Sequence, residues 1–166
     1  MRRIAALAAA LLLLAACESG KAAAPAEPAA PATAAPAAAA QPGCGADVPS
    51  RVLPEWARTG FSDPEPSIPH VLGDQGDIVA IIFGYPLHAP TLPDRSNKIL
   101  WVSRVPQQPA SPLVIEARPD GKGDPVTREI SGGAGPSTVD LPTAGCWHLQ
   151  LKWSDHTDTM RLTYKS

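Results

Sequence analysis

Hydrophobic and polar positions alternate most cleanly at the C-terminal end of the chain. From residue 146 onward, Trp147, Leu149, Leu151 and Trp153 share one parity, while His148, Gln150 and Lys152 take the other. A period of two marks a strand with one buried face. Met160, Leu162 and Tyr164 alternate in the same way with Arg161, Thr163 and Lys165. Ser154, Asp155 and His156 supply turn chemistry between the two runs. The pattern predicts a terminal antiparallel hairpin with its apolar face on the core.

Upstream, residues 77–83 (DIVAIIF) form a nearly continuous apolar run and predict a central strand. Residues 98–104 (KILWVSR) predict another, with Trp101 and Ile99 on the core side. In a third, Leu113, Ile115 and Ala117 oppose Val114, Glu116 and Arg118. Residues 126–130 and 137–141 are shorter candidates, and residues 120–124 and 131–136 carry turn chemistry. Fifteen Pro and twelve Gly are scattered through residues 43–166, cutting them into segments of strand length. All eight aromatic residues lie between Trp56 and Tyr164, so the folded unit is expected over residues 43–166. That length suffices to bury a core. About seven short, regularly punctuated strands predict an all-β fold, an antiparallel immunoglobulin-like β-sandwich. Residues 141–147 (LPTAGCW) resemble the corner leading into a late strand of such sandwiches, which implies fold and not function. Residues 49–76, with five Pro, are expected to form an irregular arm pinned to the sheets by Trp56 and Phe61.

The N-terminus breaks this pattern. Residues 1–17 read MRRIAALAAALLLLAAC: two Arg, then an uncharged apolar run, then a cysteine. The run is shorter than the about 20 residues a membrane-spanning helix needs, and it fits the apolar region of an export signal. Its end, LAAC at residues 14–17, resembles the lipobox of bacterial lipoproteins. The resemblance implies cleavage before Cys17, removal of residues 1–16, and acylation (palmitate or a similar chain) at Cys17. The competing reading is a plain secretory signal with an unrelated cysteine. Acyl chains contribute about 0.8 kcal/mol per buried CH₂, so two hold a protein firmly where one is marginal. The expected location is the cell membrane or outer membrane, lipid-anchored, with the domain extracytoplasmic in the periplasm or at the cell surface.

Residues 17–42 follow as a tether. Positions 18–42 hold 13 Ala and 5 Pro, with no aromatic residue. Such a stretch cannot bury enough apolar surface to offset its ordering entropy, and the prolines interrupt any helix Ala would favour. A disordered, partly polyproline-II linker is expected, reaching about 75 Å when extended.

Charge excludes one class of partner. Fourteen Lys and Arg against 16 Asp and Glu leave a formal net charge of -2, which offers no basic field for nucleic acid. With Cys17 assigned to lipid, Cys44 and Cys146 remain. An exported compartment permits a disulfide between them, closing a loop of about 100 residues. Since Trp147 points to the core, Cys146 starts on the outer face, so the bridge would clip the arm across the outside of a sheet. Two free thiols are the competing reading.

No strong catalytic signature appears. His148 on a strand, His156 in the following turn, and Asp158 are weak candidates for a divalent metal site or a small hydrolytic centre, but no structural-zinc spacing is present. A blue-copper site fails on spacing, because Met160 lies twelve residues beyond His148. There is no Gly-x-Ser-x-Gly elbow, and residues 132–135 (GGAG) lack the Lys and Ser or Thr of a phosphate loop. Trp147, Trp153 and Trp101 read as core residues. Residues 84–90 (GYPLHAP) read as a loop, and Tyr85 and His88 with Trp56 form a possible recognition surface. No cofactor is expected.

Residues 96–102 (SNKILWV) and 144–147 (AGCW), with Leu149, Leu151, Trp153, His156, Asp158 and Thr159, resemble a group of bacterial lipoproteins of unknown function. The resemblance covers residues 77–166. It implies the lipid anchor and the sandwich, and no activity. It also raises the possibility that residues 98–101 and 156–158 meet in space, as a shared site or as a structural polar cluster. The sequence therefore predicts a lipid-anchored, non-catalytic envelope protein for binding or structural support, with the membrane, an envelope protein or a small ligand as partner. A metal-dependent or hydrolytic exported enzyme using His148, His156 and Asp158 is one alternative, and a small-ligand-binding lipoprotein is another.

Overall fold

The computed structural model describes residues 43–166. The expected leader, Cys17 and the Ala/Pro stretch lie outside the described residues. Ten strands run through the described chain: β1 (Ser50–Val52), β2 (Ser67–Leu72), β3 (Ile78–Ile82), β4 (Leu87–His88), β5 (Lys98–Ser103), β6 (Leu113–Pro119), β7 (Val126–Ile130), β8 (Pro136–Thr138), β9 (Gly145–Trp153) and β10 (His156–Lys165). One 3₁₀ turn, Glu55–Ala57, separates β1 from β2. The strands form two five-stranded sheets, in the orders β1-β2-β3-β5-β8 and β4-β10-β9-β6-β7. All pairings are antiparallel except that of β4 with β10. The described chain is all-β.

The alternation in β9 and β10 does what the sequence predicts. Trp147, Leu149, Leu151 and Trp153 join Met160, Leu162 and Tyr164 in a core shared with Ile78, Ala80 and Ile82 of β3 and with Ile99 and Trp101 of β5. Residues from both sheets thus bury one common apolar volume, at roughly 1.5–3 kcal/mol per fully buried large side chain. The two runs form a hairpin in which Trp153 opposes His156 across a two-residue turn. His156 is therefore the first residue of β10 and not a turn residue.

All five residues of β3 are buried, which explains its continuous apolar run. One parity faces the shared core. The other, Val79 and Ile81, packs in a second cluster with Leu53 and Ala57, flanked by Trp56 and Phe61. Trp56 and Phe61 do pin the N-terminal segment to a sheet, as expected. That segment is not an irregular arm, however, because it contains strands β1 and β2. Pro69 hides β2 in the sequence. It opposes Ser50 of β1, one residue before the β2–β3 ladder starts at His70, so the missing N–H interrupts nothing there. Residues 84–90 likewise hold the short strand β4, which runs parallel to the end of β10.

Candidate functional site

Three strands of the second sheet turn their polar parity outward, and register decides which side chains meet. Arg118 of β6 lies opposite His148 of β9, and His148 lies opposite Arg161 of β10. The next row on the same face holds Glu116, Gln150 and Thr159. These two rows, with Asp74 from the β2–β3 turn, line an open groove of about 310 Å³.

The first row is cationic. The Nε–H of Arg161 donates to Nδ1 of His148 at 3.3 Å. The Nε2 of the same ring lies 3.8 Å from a carboxylate oxygen of Asp120. This leaves both terminal nitrogens of Arg161 without a hydrogen-bond partner among the described residues. The Arg118 side chain makes neither a hydrogen bond nor an ion pair among the described residues. Glu116, the acid two residues back on the same face, is already engaged by Lys152 at 2.8 Å. That ammonium, with Arg118 as a minor contributor, holds the Glu116 carboxyl below the usual carboxylate range. The second row is rich in acceptors: the Glu116 carboxylate, the Gln150 amide oxygen, and Asp74, whose other bond is accepted from the Thr159 hydroxyl.

The three weak metal candidates of the sequence do not converge. His148 stands in the groove. His156 sits at the start of β10, with its ring 5.7 Å from that of Trp153. Asp158 points the other way, into the interior, where it is fully buried. Its carboxylate accepts from the backbone N–H of Gln75 at 2.9 Å, of Asp77 at 3.1 Å and of Thr159 at 2.7 Å. Asp158 is thus a structural clasp between β10 and the β2–β3 turn. A Cβ on Gly73 would overlap its carboxylate group, which is why that turn needs glycine. Among the described residues, the one cluster with metal-ligand geometry joins Cys44, Asp120 and Cys146, but the two sulfurs are bonded to each other and offer no thiolate. Lys98 does not reach Asp158: it begins β5, whose Ile99 opposes Ile82, whereas Asp158 binds the turn at the Ile78 end of β3.

Cys44 and Cys146 pair, with their Cα atoms 5.7 Å apart, within the usual disulfide range. The bridge fastens the start of the described chain to the outer side of β9. Around it, Gly45 N–H donates to the Thr163 hydroxyl, and the Asp47 carboxylate accepts from Lys165 and from the Tyr85 hydroxyl. Lys165 and Tyr85 together lower the pKa of Asp47, and Asp47 raises that of Lys165.

The suggested surface of Tyr85, His88 and Trp56 is divided. Tyr85 is half-buried, and its hydroxyl also accepts from Val48 N–H. The crevice beside it holds about 10 Å³, room for one water at most. The backbone of His88 is held at both N–H and C=O by the buried Asn97 side chain. Trp56 belongs to the second apolar cluster, on the far face of the other sheet. Sequence reasoning found His148 but missed Arg118 and Arg161. The outward parity of each was legible; their meeting depends on the register of three strands.

The chain matches no family model, and no similar curated protein or solved structure was found.

Proposed function

We propose that this protein is a lipid-anchored envelope protein that presents an immunoglobulin-like sandwich for binding. The anchor would be Cys17, followed by the Ala/Pro tether, with residues 43–166 as the presented domain. The observation that carries this reading is the covalent clip at the start of the folded part. A tether ending at residue 42 would lead straight into a disulfide from Cys44 to β9, backed by the Asp47–Lys165 ion pair. Load on the tether would be taken by the sheet and not by a fraying terminus. A disulfide-forming pair also suits an exported chain.

Two features support the immunoglobulin-like assignment. The chain crosses between sheets from β5 to β6, from β7 to β8 and from β8 to β9, giving adjacent β6, β9 and β10 in one sheet opposite adjacent β5 and β8 in the other. This is the succession expected of that fold. At the corner into β9, Trp147 Nε1–H donates to the Thr143 carbonyl at 3.0 Å, much as a tyrosine does at the corresponding corner of immunoglobulin domains. Among the described residues, no helix is long and apolar enough to cross a membrane.

The test is a comparison of the chain with its Cys17→Ser variant. Expressed in a bacterial host, the parent should partition with membranes, and its tryptic peptide spanning residues 17–21 should carry a diacylglyceryl mass. The variant should lose both. A variant as firmly membrane-bound as the parent, or an unmodified peptide from the parent, would overturn the anchor.

A further inference from the structure

We infer that the groove on the outer face of the second sheet is a binding site for a small hydroxylated anion, such as a uronic acid. The ligand would carry a carboxylate against Arg118 and Arg161 and hydroxyl donors against Glu116 and Gln150. The inference deepens the binding role proposed above but is independent of the lipid anchor.

Three observations carry it. First, Arg118 and Arg161 flank His148 in a single register row, their backbones two strand spacings or about 10 Å apart, and both side chains line the same groove. Both have unfilled N–H donors among the described residues, and guanidinium is the side chain whose planar donors best match a carboxylate or phosphate. Second, the imidazole between them is oriented. The Nε–H of Arg161 donates to its Nδ1 at 3.3 Å, and an Asp120 carboxylate oxygen stands 3.8 Å from its Nε2, so Arg161 holds the ring from one side. Third, the acceptor row of Glu116 and Gln150 lies one strand repeat away, about 6.7 Å along the sheet. A cationic row beside an acceptor row suits a solute with an anionic end and a donor-bearing body, and suits a bare anion less well. A groove of about 310 Å³ is at the small end of ligand sites, so the ligand is a monomer-sized solute or one unit of a polymer.

The side chains around the groove account for the charge balance. Arg118 and Arg161 contribute two positive charges, and Lys152 neutralises Glu116. Asp74 and Asp120 stand at the rim and draw donors in, disfavouring a plain anionic surface as the partner.

The experiment is a titration of the full chain in detergent solution, followed by NMR at the arginine Nε–H groups. The probes are glucuronate, glucose, inorganic phosphate and phosphatidylglycerol vesicles. Glucuronate should shift the Arg118 and Arg161 signals together and saturably. Phosphate should do so with at least fivefold lower affinity, and glucose not at all. Arg118→Gln and Arg161→Gln should each weaken glucuronate binding at least tenfold. Arg128→Gln, outside the groove, should change it less than twofold. Glu116→Gln should weaken glucuronate but not phosphate, which a general electrostatic effect would not produce. Equal shifts at Arg128, tight binding of glucose, or binding to the vesicles alone would each overturn the inference. None of these results would bear on whether Cys17 carries lipid.

Discussion

The Asp158 clasp gives the sharpest quantitative prediction. Its carboxylate joins β10 to the β2–β3 turn through two long-range bonds, to the N–H groups of Gln75 and Asp77. Charge-assisted bonds of this kind are each worth about 1.5–3 kcal/mol net. Asp158→Ala should therefore cost about 3–6 kcal/mol. At about 4 °C per kcal/mol for a domain of this size, the thermal midpoint should fall by about 12–24 °C. Gly73→Ala attacks the same joint from the other side, since its new Cβ would displace the carboxylate, and should cost about 2–4 kcal/mol by breaking the same bonds. The two losses overlap. The double variant should be little worse than Asp158→Ala alone, giving a coupling energy of about 2–3 kcal/mol in a double-mutant cycle. Urea denaturation of the four full-length proteins, followed by tryptophan fluorescence, measures every term. If the two substitutions add to within 0.5 kcal/mol, the residues do not share a joint and the reasoning fails. It fails as well if Asp158→Ala leaves the midpoint within 3 °C of the parent.

Other outcomes follow from the same structure. The Cys44–Cys146 bridge spans a sequence separation of 102 residues, so its loss through the paired Ser variants should cost up to about 4–5 kcal/mol. The urea midpoint of the double Ser variant checks this, and an unchanged midpoint would show that the clip does not stabilise the fold. Burial of His70, only partly offset by its bond to the Ile68 carbonyl, pulls its pKa below the ordinary value of 6.5. The unfolded chain then binds this proton more readily than the folded one. His70 thus adds stability above about pH 6.5 that is lost progressively as the pH falls toward its lower folded value. Denaturation midpoints between pH 8 and 5.5 should drop less steeply for His70→Gln than for the parent; identical slopes would contradict the assignment.

Much of the fold could be read from the sequence because burial imposes local periodicity. The β9–β10 hairpin, the run of β3 and the alternation of β6 are each written in one segment. So was the placing of Trp101, Trp147 and Trp153 in the core. The strand β2 could not be read, because Pro69 argues against a strand until the neighbours show that its N–H has no partner to lose. The metal candidates failed for a related reason. His148 and Asp158 are ten residues apart on a hairpin and share sequence parity, but the two-residue turn pairs Asp158 with inward Leu151 and His148 with outward Arg161, so one faces solvent and the other the interior.

Sequence alone determined the all-β character and which residues of the long strands face inward. These depend on composition or on a period of two, and both are local properties. Only the tertiary structure decided that Arg118, His148 and Arg161 stand in one row, that Asp158 clasps the β2–β3 turn, and that Cys44 reaches β9. Each of these joins residues far apart in the chain. Strand order and register fix such distances, and they follow from the packing of all the strands together and not from any one segment.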